Sequence, residues 1–415
     1  MKSTQERQPV AYITEVEGGV QKLTIQVKNG ESKVKFDVDG TMINPKIIKI
    51  EAEGKEYEVS VKTKAFIDSA KIFAQQNPEL GEFIGVKQIL ENFKNVRPIY
   101  AEEIASALGY PPTDQQIIAF AKIINKINTD PEHAQYFTEI PGAKDFLTQL
   151  QDQHNLEPTF VTNNSPQNLE HILKKLDISN YPLVTAYGNI NTKDFTDTRV
   201  VRFGVESKEK PSPTVTLLTL YKEIKQFCKN IENNTIENNL SPLTEPEIDV
   251  LVEEFVSAPH WYVGDSADRI SQDGSLVQGS DQDLVTNLNR VFKGEKKGDI
   301  KANSGFENTQ RFLTEDSLEK DAQKTIVSQL RKIYAVKFTK NDAGEKVERK
   351  SSLTARFMRT LCDKIESGNY PQFNFLHIKK DLETPLVEIA PDGSTVARVR
   401  DFTQVGIESV AQPTT

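Results

Sequence analysis

The order of apolar and polar positions changes character several times along the chain, and each change predicts a different element. Residues 12–17 and 22–28 alternate apolar and polar side chains, the period of a half-buried strand, with a turn signal at Asn29 and Gly30. The run VKFDVDGT at 34–41 reads as a short strand that stops at a glycine turn. Residues 46–62, KIIKIEAEGKEYEVSVK, predict a β-hairpin that reverses at Glu53, Gly54 and Lys55. From 63 to 128 the apolar spacing becomes three and four. AFIDSAKIFAQQ, VKQILENF, AEEIASALG and QQIIAFAKIINKI each keep one apolar face and predict helices. Pro78, Pro111, Pro112 and Pro131 punctuate them.

After Pro141 and Gly142, helices and strands alternate. A helix AKDFLTQLQDQ leads to a strand at 158–161, then a helix at 166–176 and a strand LVTAYG. The helices TVTLLTLYKEIKQFCKN and IDVLVEEFV flank a polar stretch, 231–247, expected to be a surface insertion. A strand at 260–263 follows. This alternation predicts a parallel α/β sheet. Such sheets bind ligands beyond the carboxyl ends of their strands, and polar clusters stand at such ends at 37–41, 162–164 and 264–266. Beyond 301, two helices and the strands FNFLHIK, PLVEIA and ARVRDF predict a small α+β appendage.

With 415 residues the chain is too long for one small core, so two to three domains are expected. No run of 18 apolar residues occurs, so no membrane span is expected. The opening residues MKSTQERQPVAY hold no apolar stretch, so no Sec-type signal is expected, and a cytoplasmic location is. A net charge of −9 argues against a general nucleic-acid binder, which neutralises phosphates with Lys and Arg. It leaves room for a local basic site that takes a small anion. Cys228 and Cys362 are far apart with no CxxC spacing, and the five His residues form no HExxH pattern, so a zinc enzyme is not expected.

Four clusters carry chemistry. In FDVDGT, Asp37 and Asp39 stand two apart at a strand end, where one carboxylate can attack as a nucleophile and the other can move a proton. Gly40 allows the tight turn into Thr41. The segment lacks the third Asp or Asn of an EF-hand loop. In FVTNN, Thr162, Asn163 and Asn164 offer hydroxyl, amide and backbone donors for an anion. In KPSP, Lys210 precedes a helix and can neutralise a phosphoryl group. In VGDSAD, Asp265 and Asp268 follow a strand and suit a hard cation. Taken singly, the last three read equally well as ordinary loops and caps.

Together and in this order, the clusters resemble the four motifs of the haloacid dehalogenase superfamily over residues 33–285. The resemblance implies a Rossmann-like parallel sheet core from 1–44 and 141–300, carrying the N-terminal β extension. It also implies a mainly helical cap with a β-hairpin over 45–140, and 301–415 remains as an additional α+β C-terminal segment. It implies that Asp37 attacks phosphorus to form an aspartyl-phosphate and that Asp39 protonates the leaving oxygen and later activates water. Thr162, Asn163, Asn164, Gly40 and Thr41 would surround the phosphoryl group, and Lys210 would neutralise it. Mg²⁺ would be held by Asp37, the Asp39 carbonyl and Asp265, with Asp268 as a further candidate. Many relatives place that last acid four residues after the first, where this chain has Arg269. Asp39 separates the chain from dehalogenases, which lack it, and from transport ATPases, which have Thr there. The expected function is therefore Mg²⁺-dependent phosphomonoester hydrolysis of a small phosphorylated substrate. A phosphotransferase or mutase, and a catalytically idle interaction module, are the alternatives. The C-terminal segment is a candidate surface for a protein partner. Lys35 departs from the fully apolar run expected of a buried parallel strand.

Overall fold

A computed structural model of the chain describes residues 11–16, 19–80, 85–92, 113–162, 164, 166–185, 214–265, 338–340, 346–348, 352–366, 373–378, 386–389 and 395–410. The protein is of the α/β class and divides into two compact units. The first comprises Met1–Asp37, Pro141–Val161 and Lys210–Thr415, and the second Val38–Ile140 and Thr162–Glu209.

The first unit contains a sheet whose strands run β14-β15-β13-β10-β3-β8. Here β3 is Lys33–Phe36, β8 Thr159–Thr162, β10 His260–Gly264, β13 Phe373–Ile378, β14 Leu386–Ile389 and β15 Thr395–Val399. All neighbours are parallel except β14 and β15. β8 and β10 are buried along their whole length, as expected of strands covered on both faces. The covering helices are α4 (Ala143–Asp152), α6 (Thr214–Glu237), α7 (Glu245–Ser257) and α8 (Leu353–Glu366). α8 packs on α6 and α7 through the rings of Phe227, Phe255 and Phe357. At the rim, Arg356 pairs with Glu245, and Lys364 with Asp249 and Glu253. Phe36 meets Phe146 and Phe402 at ring-centroid distances of 5.9 and 6.1 Å.

The described C-terminal strands join sheets of the first unit. β13 pairs in parallel with β10, and β16 (Val405–Ser409) pairs in parallel with β2 (Val20–Val27), which is antiparallel to β1 (Ala11–Val16). Described parts of this segment therefore belong to the first unit, with β13 beside the strand that ends at Gly264. The close approach reaches Gly142, where φ is +76° and an added Cβ would stand 3.0 Å from the backbone N of Thr403. A short hairpin, β11 (Phe338–Lys340) with β12 (Lys346–Glu348), is also present. The expected insertion at 231–247 begins as helix: α6 continues to Glu237, with Thr235 back-bonded to the carbonyl of Ile231. Residues 238–244 then form the exposed link to α7. Helices expected at 101–109 and near 320–335 lie outside the described residues.

Lys35 is fully buried in β3 and reaches Glu223 of α6 at 3.0 Å and Nδ1 of His260 at 3.4 Å. Burial pushes the Lys35 pKa down, opposed by the charge of Glu223. His260 is held well below its ordinary value, first by burial and then by the Lys35 charge. A neutral His260 donates from Nε2 to the Phe255 carbonyl and presents Nδ1 as an acceptor to the ammonium. Cys228 and Cys362 are buried free thiols, and burial pushes Cys228 up to about 12.

The second unit holds β4 (Ile43–Pro45) antiparallel to β7 (Phe137–Glu139), and the hairpin of β5 (Ile47–Ala52) and β6 (Lys55–Ser60). Its helices are α1 (Val61–Gln76), α2 (Val86–Asn92), α3 (Asp114–Asn128) and α5 (Pro166–Lys175), and β9 is Leu183–Thr185. Phe66, Ile67, Ala70, Phe73, Val86, Ile89 and Phe120 form its apolar core, and Ile50, Ala52 and Tyr57 of the hairpin pack against it. The hairpin thus belongs to the helical core. It passes straight into α1, whose first turn is capped by the Ser60 hydroxyl at 3.1 Å from the Thr63 N–H.

Candidate active site

The strand ends place the predicted residues. Asp37 follows the last residue of β3, is nearly buried, and donates its backbone N–H to the Val263 carbonyl of β10 at 2.8 Å. Phe36 pairs with Val263, so Asp37 is level with Gly264, and Asp265 comes one residue later on the neighbouring strand. Two carboxylates, Asp37 and Asp265, therefore stand at the carboxyl edge of adjacent parallel strands in the first unit.

The boundary between the units runs through the sequence between Asp37 and Val38 and between Val161 and Thr162. On the far side of it, the chain from Val38 closes a tight turn. Met42 and Ile43 donate to the Val38 carbonyl at 2.9 and 3.0 Å, and Gly40 donates to Ile43 at 2.8 Å. Gly40 has φ +89°, a region that costs a side-chain-bearing residue and not glycine. Thr41 and Met42 are completely buried, which fixes the turn.

Within the second unit, Asp39, Thr162 and Asn164 come together. The Thr162 hydroxyl donates to Asp39 Oδ2 at 3.4 Å, and the Asn164 side-chain amide donates to the same oxygen at 3.3 Å. The Asn164 backbone N–H donates to Thr162 Oγ1 at 3.0 Å, and the Asn168 amide donates to Asn164 Oδ1 at 3.1 Å. Asp39 Oδ1 is different: it is shielded from water and makes no hydrogen bond among the described residues. A buried carboxylate oxygen without a donor costs about 1–3 kcal/mol and calls for an explanation, of which a catalytic role is one. The arrangement can hold one oxygen of a carboxylate still while the other exchanges a proton.

Asn163, Lys210 and Asp268 lie outside the described residues. Lys62, at the start of α1, was given no role by the sequence reading, yet its Nζ stands 3.9 Å from Asp39 Oδ1. Nothing in the sequence pattern ties position 62 to position 39. The hairpin makes the connection. An open depression lined by Pro131, Glu132, Gln135, His171, Lys174 and Lys175 contains none of the predicted site residues.

Among the described residues, no group of three or more His, Cys, Asp or Glu side chains is arranged to hold a metal. Asp37 and Asp265, at the ends of adjacent strands, are oxygen donors of the kind Mg²⁺ takes. No described helix is long and apolar enough to cross a membrane.

No family model matches the sequence, and no curated protein matches it. Solved structures do match. A hydrolase from Pseudomonas syringae is 16% identical over 57% of this chain and 76% of its own, with a TM-score of 0.27. A predicted phosphoglycolate phosphatase from Haemophilus somnus is 12% identical over 56% of this chain and 76% of its own, with a TM-score of 0.29. A haloacid dehalogenase-superfamily hydrolase of subfamily IA from Geobacter sulfurreducens is 15% identical over 58% of this chain and 82% of its own, with a TM-score of 0.27.

Proposed function

We propose that this chain is a haloacid dehalogenase-type phosphatase that hydrolyses a small phosphomonoester with Mg²⁺. The observation that carries the reading is Asp39, with Oδ2 held by Thr162 and Asn164 and Oδ1 buried without a hydrogen bond among the described residues. A positioned carboxylate two residues after another at a strand end is what a nucleophile and its acid/base partner require.

In this reading Asp37 attacks phosphorus and the ester oxygen leaves with a proton from Asp39. Asp39 then takes a proton from the water that hydrolyses the aspartyl-phosphate. Thr162 and Asn164, which bond Asp39 in the present structure, would turn donors toward phosphoryl oxygens, with Asn163 and the turn at Gly40 and Thr41. Lys210 would offset the negative charge. Asp37, the Asp39 carbonyl and Asp265 would hold Mg²⁺, with Asp268 as a further candidate, and the ion would neutralise charge on the phosphoryl group. Residues 45–140, with their hairpin and helices, would act as the cap that excludes water.

The test is phosphate release from para-nitrophenyl phosphate. The proposal expects turnover with Mg²⁺, none in EDTA, and recovery on adding Mg²⁺ back. Absence of Mg²⁺-dependent turnover on this ester and on a panel of phosphorylated metabolites would favour the idle interaction module.

A further inference from the structure

Side chains of the second unit form a hydrogen-bond relay with a fixed direction. Asn168, in the first turn of α5 and half-buried, donates its amide to Oδ1 of Asn164 at 3.1 Å. The Asn164 amide in turn donates to Oδ2 of Asp39 at 3.3 Å. A side-chain amide has a donor end and an acceptor end of nearly equal size. Asn164 could present its oxygen to Asp39 as readily as its nitrogen, and that would set an acceptor against a carboxylate. Asn168 removes the choice. With its donor on the Asn164 oxygen, the NH2 end faces Asp39. The Asn164 backbone N–H works to the same end: it donates to Thr162 Oγ1 at 3.0 Å, which leaves the hydroxyl hydrogen for Asp39. Leu169 beside Asn168 is fully buried, so the helical turn that starts the relay is anchored in the core.

We propose that Asn168 is a positioning residue: it fixes which end of the Asn164 amide faces the reacting groups. Asp39 and the phosphoryl oxygens are all acceptors, so each needs the NH2 end. The inference rests on the phosphatase reading above. It adds a residue that lies outside the four strand-end clusters and acts only through Asn164.

The experiment is a double-mutant cycle on para-nitrophenyl phosphate with Asn168→Asp, Asn164→Ala and the two combined. Asn168→Asp keeps the size and replaces the donor by an acceptor, so the Asn164 amide should turn its NH2 end toward the new carboxylate. An acid in the first turn of a helix is favourable, so the fold should hold, and urea unfolding checks it. Asn168→Asp should lower kcat about 10-fold, the scale of a hydrogen bond to a charged group, with KM little changed. In the Asn164→Ala background the same change should cost less than about 2-fold, because the residue it acts through is gone. Asn168→Ala, which removes the donor without adding charge, should show a smaller loss with the same coupling. A charge that merely repelled the phosphate would raise KM and cost as much in both backgrounds. That result, or near-normal kcat in both Asn168 variants, would overturn the role of Asn168 and leave the phosphatase reading standing. No Mg²⁺-dependent turnover by the wild type, on this ester or on phosphorylated metabolites, would overturn both.

Discussion

Thr162 donates its hydroxyl hydrogen to Asp39 Oδ2 across 123 positions of sequence, and Asn164 adds its amide to the same oxygen. One oxygen of Asp39 is thereby held, and among the described residues the other has no donor.

Removing either donor should loosen Asp39. Asn164→Ala is expected to lower kcat about 10-fold, the scale of one hydrogen bond to a charged group. Thr162→Val should cost roughly 10²-fold, because it also removes a phosphoryl-binding hydroxyl. Steady-state kinetics on para-nitrophenyl phosphate check this, with circular dichroism to confirm the fold. Near-normal kcat in both variants would remove Asp39 from the mechanism.

Asp265→Asn should raise the Mg²⁺ concentration needed for half-maximal activity by about 10-fold or more, since Mg²⁺ sites rely on one or two carboxylates. A Mg²⁺ titration of activity reads it directly. An unchanged requirement would assign the ion to other residues.

The buried ion pair between Lys35 of β3 and Glu223 makes a stability prediction. Glu223→Gln removes the carboxylate 3.0 Å from the buried Lys35 ammonium and should cost about 3–5 kcal/mol in urea unfolding. The double variant Lys35→Met with Glu223→Leu should recover most of that loss, because apolar replacement of a whole buried pair is often close to neutral. A mild single variant would show that solvent reaches the pair.

His260 links the same cluster to pH. Its folded pKa is depressed by burial and by Lys35, so below about pH 6.5 the unfolded chain takes up a proton that the folded chain does not. The stability contributed by neutral His260 is present above that pH and is lost as pH falls toward the folded value. His260→Gln should flatten the fall in the urea midpoint between pH 7 and pH 5. An unaltered slope would show that another group governs it.

Much of this was legible in the sequence because it depends on local chemistry. FDVDGT marked the strand end and turn at Asp37–Gly40, FVTNN the donor cluster, and the alternation around Glu53 and Gly54 the hairpin. What escaped depends on distant pairing. Lys35 departs from an apolar strand until Glu223 and His260 are seen beside it, 188 and 225 positions away. The parallel pairing of β13 with β10 has no local signal in the sequence. Lys62 owes its place to the register of β5 and β6, which no motif encodes.

The measurement that bears most directly on the central claim is trapping of the covalent intermediate. Asp39→Asn, mixed with para-nitrophenyl phosphate and Mg²⁺ and quenched in acid, should carry one phosphoryl group on the peptide containing Asp37. Its activated leaving group needs no proton, while hydrolysis of the intermediate lacks its base. The Asp37→Asn variant should carry none. Phosphate trapped on the Asp37→Asn protein, or on a different peptide of the Asp39→Asn protein, would contradict the assignment of Asp37 as nucleophile.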